Sequence, residues 1–352
     1  MATVRDILLC VDKYLFTAPP SLSGPRIHIG SLDRRVNHIL LTPEVVSPPS
    51  GGPDLVLCLQ PILPETLSTL DESQPEVALA CALIRQGVAV ALLGSRFEAA
   101  KGGASDCLAS AIGLQNPAPL LQQEVLPNTQ HEALYKLVVF TPPEAVQNVI
   151  NALASAGAGV IGNYSHCTFR SPGTGTFLPL EGAAPYIGEV GRLEQAKEFR
   201  LEVLVPAHAL EDAVSAMLAA HPYEEVAYDI YLLANRGQPL GSGRIGSLPG
   251  EETLGNLASR LNAKALHGRE DQTVRRIAVV AGEAEREHIA LAAREADCAV
   301  VGDVSRPAAY CAAAANLPVV ELGYRESVLP GLEAVARVLR RMPDLEVSVS
   351  PR

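Results

Sequence analysis

The sequence predicts an α/β chain interrupted by a ferredoxin-like α+β insert, and three observations carry that prediction. β-rich runs alternate with helical patterns before residue 131 and again after residue 234, the rhythm of mostly parallel sheets. Between those limits a 64-residue internal repeat sets KLVVFTPPEAVQNVINALASAGA, from Lys136, against RLEVLVPAHALEDAVSAMLAAHP, from Arg200. The 352 residues are 48% hydrophobic but only 4% aromatic, so the core is expected to be aliphatic, as in layered α/β proteins. That length implies two or three domains. The expected division is 1–130 and 235–352 as two halves of one core, with the insert at 131–234.

Taken in order, residues 1–16 suit a short amphipathic helix, and 17–35, rich in Pro, Ser and Gly, a loop. VNHILLT (36–42) and DLVLCLQ (54–60) read as strands, and PEVVSPPSGGP between them is too broken for a long helix. PEVALACALIRQG (75–87) is a helix with a Gly stop, and VAVALLG (88–94) a strand buried on both faces. Ser105 or Asp106 is expected to cap the helix DCLASAIGL.

In the repeat, Pro142 falls on Pro206, Val146 on Leu210, Ile150 on Val214 and Leu153 on Met217. Each copy gives a strand, a Pro near a helix start, and apolar residues spaced as Val146, Val149, Ile150 and Leu153. Each closes on a second strand-like run, VIGNYSHCTF or VAYDIYLL. Two strand–helix–strand units in tandem make one four-stranded antiparallel sheet with both helices on one face. NRGQPLGSGRIGSLPGEE reads as a polar, Gly-rich junction. Helices are then expected over ETLGNLASRLNAK, EREHIALAAREAD, RPAAYCAAAANL and VLPGLEAVARVLRR, and strands over RRIAVVAG, CAVVGD and PVVELG.

Charge and composition exclude several functions. A net charge of −11 argues against nucleic acid or an anionic membrane as partner, because both need a basic surface. No apolar run reaches the roughly 18 residues of a membrane span. MATVRDILLCVDKY is not built like a secretory leader, so a cytoplasmic location is expected. Seven cysteines without a CxxC read as free thiols in a reducing compartment.

Chemistry-bearing residues concentrate between Gly157 and Asp229. One run holds Asn163, Tyr164, His166 and Cys167; another holds His221, Tyr223, Glu224, Glu225 and Asp229. His166 and Cys167, as strand neighbours, would point to opposite faces and not share an ion. His221 either orders a turn or, with Glu224 or Glu225, ligates a metal; the turn is the ordinary reading. Cys167 reads as a thiol without an identifiable base. Gly173 and Gly175 suit a tight turn needing positive φ, with phosphate cradling as the alternative.

GVIGNYSHCTFRSPGTGTFLPLEGAAPYIGEVGRLE and HPYEEVAYDIY closely resemble the insert domain of the NIF-three-like family, whose members are often labelled GTP cyclohydrolase 1 type 2 homologues. IHIGSLDRRVNHILLTPEVV, GGASDCLASAIGL, GSGRIGSL and PGLEAV extend the resemblance to nearly the whole chain. It implies a two-lobed core, a PII/CutA-like insert, a toroidal homohexamer, and a cleft holding two divalent ions such as Zn, Fe or Mn. The family's ligand motifs fall here on other residues. Its His-His-Pro meets Leu59, Gln60 and Pro61; its Ala-His-Thr-Asn-x-Asp places Gly94 at His, Arg96 at Asn and Glu98 at Asp. Its Gly-His-x-x-x-Glu falls on Tyr324 and Val328. Arg96 is expected to pair with Glu98, and a one-residue displacement would bring Glu321 or Glu326 into play.

No cofactor is therefore expected. The leading expectation is a non-catalytic hexameric scaffold or small-molecule sensor. The alternatives are a metal-dependent hydrolase of the GTP cyclohydrolase 1 type 2 kind, and an adaptor binding proteins through insert strand edges.

Overall fold

The structure, a computed structural model, describes residues 1–15, 22–64, 66–67, 69–122, 131–239 and 241–350. The chain divides into two compact units, Met1–Val125 with Pro239–Arg352, and Leu126–Gln238.

The first unit begins with β1 (Ala2–Thr3) and α1 (Val4–Tyr14). A capping box starts α1: Asp6 N donates to Thr3 Oγ1, and Thr3 N to Asp6 Oδ2. Then come β2 (Arg26–Ile29), β3 (Arg35–Val36), β4 (His38–Leu41), β5 (Leu55–Cys58) and α2 (Pro75–Gln86). Pro75 sits in the first turn of α2, where a missing N–H costs nothing, and Gly87 ends the helix at φ 69°. β6 (Ala89–Leu92), the single turn α3 (Arg96–Ala99), α4 (Ala104–Ile112), β7 (Gln115–Ala118) and β8 (Leu121–Gln122) complete this half.

The second unit contains β9 (His131–Thr141), α5 (Val146–Ser155), β10 (Thr168–Phe177), β11 (Glu194–Pro206), α6 (Leu210–Ala220) and β12 (Tyr228–Pro239). Its sheet runs β10-β11-β9-β12, the ferredoxin-like order, with β10/β11 and β11/β9 antiparallel. Leu137 and Val139 pair in register with Val203 and Leu201, which puts all four on one face. On that face they bury against Val146, Val149 and Leu153 of α5 and Ala213 and Met217 of α6. Both helices thus lie on the same side of the sheet.

The chain then returns to the first unit with β13 (Gly241–Ser242), β14 (Arg244–Thr253), α7 (Leu254–Arg260), β15 (Ala265–His267), β16 (Thr273–Ala284) and α8 (Arg286–Glu295). β17 (Cys298–Val304), α9 (Arg306–Ala315), β18 (Val319–Glu321), α10 (Tyr324–Leu339) and β19 (Glu346–Val349) follow. One sheet of this unit is ordered β19-β4-β5-β6-β2, parallel except for β2. The other, β15-β18-β17-β16-β14-β7, is parallel at its centre and antiparallel at its flanks. One aliphatic core joins them: Ile39, Leu55 and Leu57 of the first sheet, Ile277 and Val279 of the second, and Leu108, Leu332 and Val335 of α4 and α10. The last strand, β19, pairs with β4, so the C-terminal segment helps to build the N-terminal lobe.

Several expectations are corrected. VIGNYSH is not strand: it holds a tight turn closed by the Ile161–Tyr164 bridge, and β10 begins only at Thr168. Gly173 and Gly175 make no positive-φ turn; they lie within β10, opposite Glu198 and Ala196. The 17–35 loop contains β2 and β3, while 16–21 lie outside the described residues. The polar junction is mostly strand, because β14 pairs with β16 on one side and β7 on the other. α4 starts at Ala104 without a side-chain cap, since Ser105 Oγ instead accepts from Ala281 N, at 3.2 Å, and Asp106 takes Gly102 N. The final helix begins at Tyr324 and runs through Pro330, tolerating the one backbone donor that Pro removes.

Candidate functional site

Two places gather polar chemistry, one in each unit.

In the first unit, the carboxyl ends of parallel strands from both sheets meet, the usual location for a ligand in an open α/β sheet. Gln60 follows β5, Glu98 stands on α3 beyond β6, Gly282 lies near the end of β16, and Tyr324 opens α10 after β18. Gln60 Nε2 donates to Tyr324 Oη at 2.8 Å, joining residues 264 positions apart. Ser327 Oγ accepts from Gly282 N at 2.9 Å and donates to the Tyr324 carbonyl at 2.7 Å, which pins the start of α10 to β16. A side chain at Gly282 would press on both the Glu98 carboxylate and the Tyr324 ring.

Glu98 is the charged group at the centre of this cleft. Among the described residues its carboxylate meets no hydrogen-bond donor and no cation. Burial pushes it up to about 7, from an ordinary value of 4.5. The expected Arg96–Glu98 pair does not form. Arg96 Nη1 bonds Asp12 Oδ1 at 2.9 Å and its Nε bonds the Leu22 carbonyl, because α1 presents a carboxylate on the other side of α3. Burial, followed by the nearby Glu98 charge, pushes Tyr324 up to about 12. Burial alone lifts the Cys58 thiol to about 12. Leu59 is part-buried and Val328 fully buried in the aliphatic core. Glu321 is engaged by His267 at 2.7 Å, and Glu326 is exposed. Among the described residues no three His, Cys, Asp or Glu side chains converge as a metal-binding group.

In the second unit a cavity of about 440 Å³ lies against the sheet. Phe140, Phe177, Tyr186 and Tyr223 supply aromatic lining, and Glu198, Glu224 and Glu225 supply carboxylates. His221 stands behind it as a buried turn-former. Its Nδ1 accepts from Tyr223 N and its Nε2 donates to the Phe140 carbonyl, each at 3.1 Å, so the ring is the neutral Nε2–H tautomer. Burial lowers its pKa and reinforces that neutrality. Edge-on contact at 4.8 Å fixes the Tyr223 ring against His221. A side chain at Gly175 would meet the Glu198 carboxylate diagonally across the β10/β11 pair and displace it from its present position.

The residues singled out from sequence thus separate into two groups. Gly175, His221, Tyr223, Glu224 and Glu225 converge at the cavity. Asn163 and Tyr164 form the exposed turn, His166 adopts φ 59° beside Ser165, and Cys167 donates its backbone N–H to Gly159 O. Gly173 is strand backbone, and Asp229 accepts from Tyr231 on exposed β12. Sequence reasoning did not find Glu198, Phe140, Phe177 or Tyr186. Glu198 reaches the cavity through strand register, its carboxylate lying over Gly175, diagonally across the β10/β11 pair.

A sequence model of the Duf34/NIF3 (NGG1p interacting factor 3) family matches residues 27–352. A Bacillus subtilis (strain 168) protein named GTP cyclohydrolase 1 type 2 homolog is 36% identical over 329 residues, covering 90% of this chain and 86% of the relative. A protein of the same name from Halalkalibacterium halodurans is 37% identical over 309 residues, covering 84% and 81%. The crystal structure of a Bacillus cereus protein related to NIF3 superposes with a TM-score of 0.82 at 32% identity, covering 100% of this chain and 97% of that one. With the family motif spread over both halves of the core and the insert between them, the chain belongs to the Duf34/NIF3 family.

Proposed function

We propose that this chain is a non-catalytic member of its family: a cytoplasmic homohexameric scaffold that senses a small molecule and has lost the dinuclear metal site the resemblance implies. The observation that carries this reading is the donor set of the core cleft. Glu98 supplies one carboxylate, Gln60 and Tyr324 are bonded to each other, and Leu59 and Val328 have no donor atom. Two divalent ions about 3.5–4 Å apart need several imidazole and carboxylate ligands to offset their repulsion. Tyr324 ligates well only as phenolate, and its proton leaves only near 12. At the family's imidazole position Gly94 has φ 73°, and a side chain there would strike the carbonyls of Ser23 and Gly24. These residues do not fit two metal ions.

The family name directs the first test toward GTP. With excess Mn²⁺, Zn²⁺ or Fe²⁺ present, the purified chain is expected to hydrolyse GTP no faster than buffer does. Metal-dependent turnover that vanishes in Glu98→Gln would establish the hydrolase instead. A gain-of-function test complements it. The combined variant Leu59→His, Gln60→His, Tyr324→His and Val328→Glu is expected to acquire metal that the parent does not hold.

Self-assembly is supported by apolar side chains standing largely exposed on the insert, among them Tyr164, Phe169, Leu180, Leu193 and Leu232. Light scattering at micromolar concentration is expected to return the mass of six chains; a monomer mass would contradict the scaffold.

A further inference from the structure

We infer that the insert cavity is a binding site for a small organic ammonium ion with an apolar or aromatic body. This deepens the small-molecule-sensing half of the function proposed above, and the metal content of the core has no bearing on it.

Three independent features select that chemistry. First, the walls are aromatic. Tyr186 and Tyr223 stand 5.8 Å apart, centroid to centroid, in a tilted arrangement, with Phe140 and Phe177 completing the lining. The two tyrosine rings pack on each other at that spacing, and a cation entering the cavity would meet aromatic walls. Second, every charged side chain in the lining is a carboxylate: Glu198, Glu224 and Glu225. Glu224 spends one oxygen on Ala184 N at 2.9 Å, while Glu198 has no cation paired with it among the described residues. Glu144 adds a fourth carboxylate just outside, accepting from Tyr186 at 3.4 Å. The Arg200 guanidinium stacks over Phe140 at 5.7 Å and is bound to Glu202 at 3.0 Å rather than to a lining carboxylate.

Third, the Tyr223 hydroxyl is fully enclosed and makes no hydrogen bond of normal geometry, although Glu198 lies beside it. Burial, then Glu198, hold that phenol protonated well above the ordinary tyrosine range. An unmet buried hydroxyl is destabilising. An ammonium ion brings several N–H donors to a lining of carboxylate oxygens, with the enclosed Tyr223 hydroxyl beside Glu198. An anion would meet only like charge, and a neutral ligand would leave the carboxylates uncompensated. The volume of about 440 Å³ suits an arylalkyl amine rather than a nucleotide.

The experiment is calorimetric titration of the full chain with phenethylammonium, 2-phenylethanol and phenylacetate, which share a shape and differ in charge. Phenethylammonium is expected to bind at least about tenfold more tightly than the alcohol, with phenylacetate not binding at concentrations of about 10 mM. Glu198→Gln is expected to weaken the ammonium about tenfold and leave the alcohol unchanged, and Tyr223→Phe to weaken it less. Melting curves of both variants check that the insert remains folded. Equal affinity for ammonium and alcohol, binding insensitive to Glu198→Gln, or no binding of phenethylammonium or tryptammonium would each overturn the proposal. None of these outcomes depends on metal in the core, so the two readings fail separately.

Discussion

Replacing Arg244 by methionine is expected to cost the first unit about 3–5 kcal/mol, the typical penalty for breaking one side of a buried ion pair. Arg244 is 4% exposed. Its Nε bonds Asp106 Oδ1 at 2.8 Å, and its two terminal nitrogens reach the carbonyls of Gly241, Gly243, Ala99 and Ala100 at 2.7–3.1 Å. One guanidinium therefore satisfies five acceptors and ties β14 to the end of α3 and the first turn of α4. Methionine fills similar space but removes five donated hydrogen bonds, leaving Asp106, Ala100 and Gly243 with only their backbone donors Gly102 N, Gly103 N and Leu120 N. Lysine retains the charge but not the planar fork, so Arg244→Lys is expected to recover only part of the loss. Urea unfolding followed by circular dichroism checks this. A loss below about 1 kcal/mol would show that water replaces the guanidinium without cost.

Glu98→Gln is expected to remove a pH dependence worth about 3 kcal/mol. In the unfolded chain this carboxyl titrates near 4.5; in the folded chain burial raises it to about 7. Below 4.5 it is protonated in both states and no stability is lost. Between 4.5 and 7 the unfolded chain has released the proton and the folded chain has not, so stability falls as pH rises. Above 7 the loss is complete. Glutamine keeps the shape and carries no charge at any of these pH values. The variant is therefore expected to match the parent near pH 4.5 and to exceed its unfolding free energy by pH 8. Paired urea titrations at the two pH values measure the difference directly. A parent–variant gap that does not change with pH would mean that Glu98 reaches solvent or a cation.

Much of the fold was legible because local and global signals agreed. Pro75 and Gly87 bracket α2 as helix chemistry dictates, and the offset repeat forecast both the insert's single four-stranded sheet and the side its helices share. Legibility failed where an element depends on its neighbours. β14 reads as Gly-rich linker, yet β16 on one side and β7 on the other supply the ladder that local propensity lacks. β19 has no signal separating it from a C-terminal tail until β4 is present to pair with it. Gly173 and Gly175 looked like turn residues because glycine is ambiguous; the β11 ladder, which pairs them with Glu198 and Ala196, decides for strand.

The candidate sites divide the same way. His221 and Tyr223 were visible as a dense local run, and their spacing is what lets one ring order the next. Glu198 and Phe140 meet them only through strand register, which no spacing reveals. Gln60 and Tyr324 were placed together by family motif, not by any property of their own, and Arg244 was invisible because a single arginine among glycines gives no sign of burial.

Elemental analysis tests most directly the proposal that the core cleft around Glu98 holds no dinuclear metal centre. The chain is purified without chelator from cells supplied with zinc, iron and manganese, then analysed beside Glu98→Gln. Trace metal is expected in both, unchanged by the substitution. About two equivalents of zinc, iron or manganese per chain, reduced in Glu98→Gln, would contradict it.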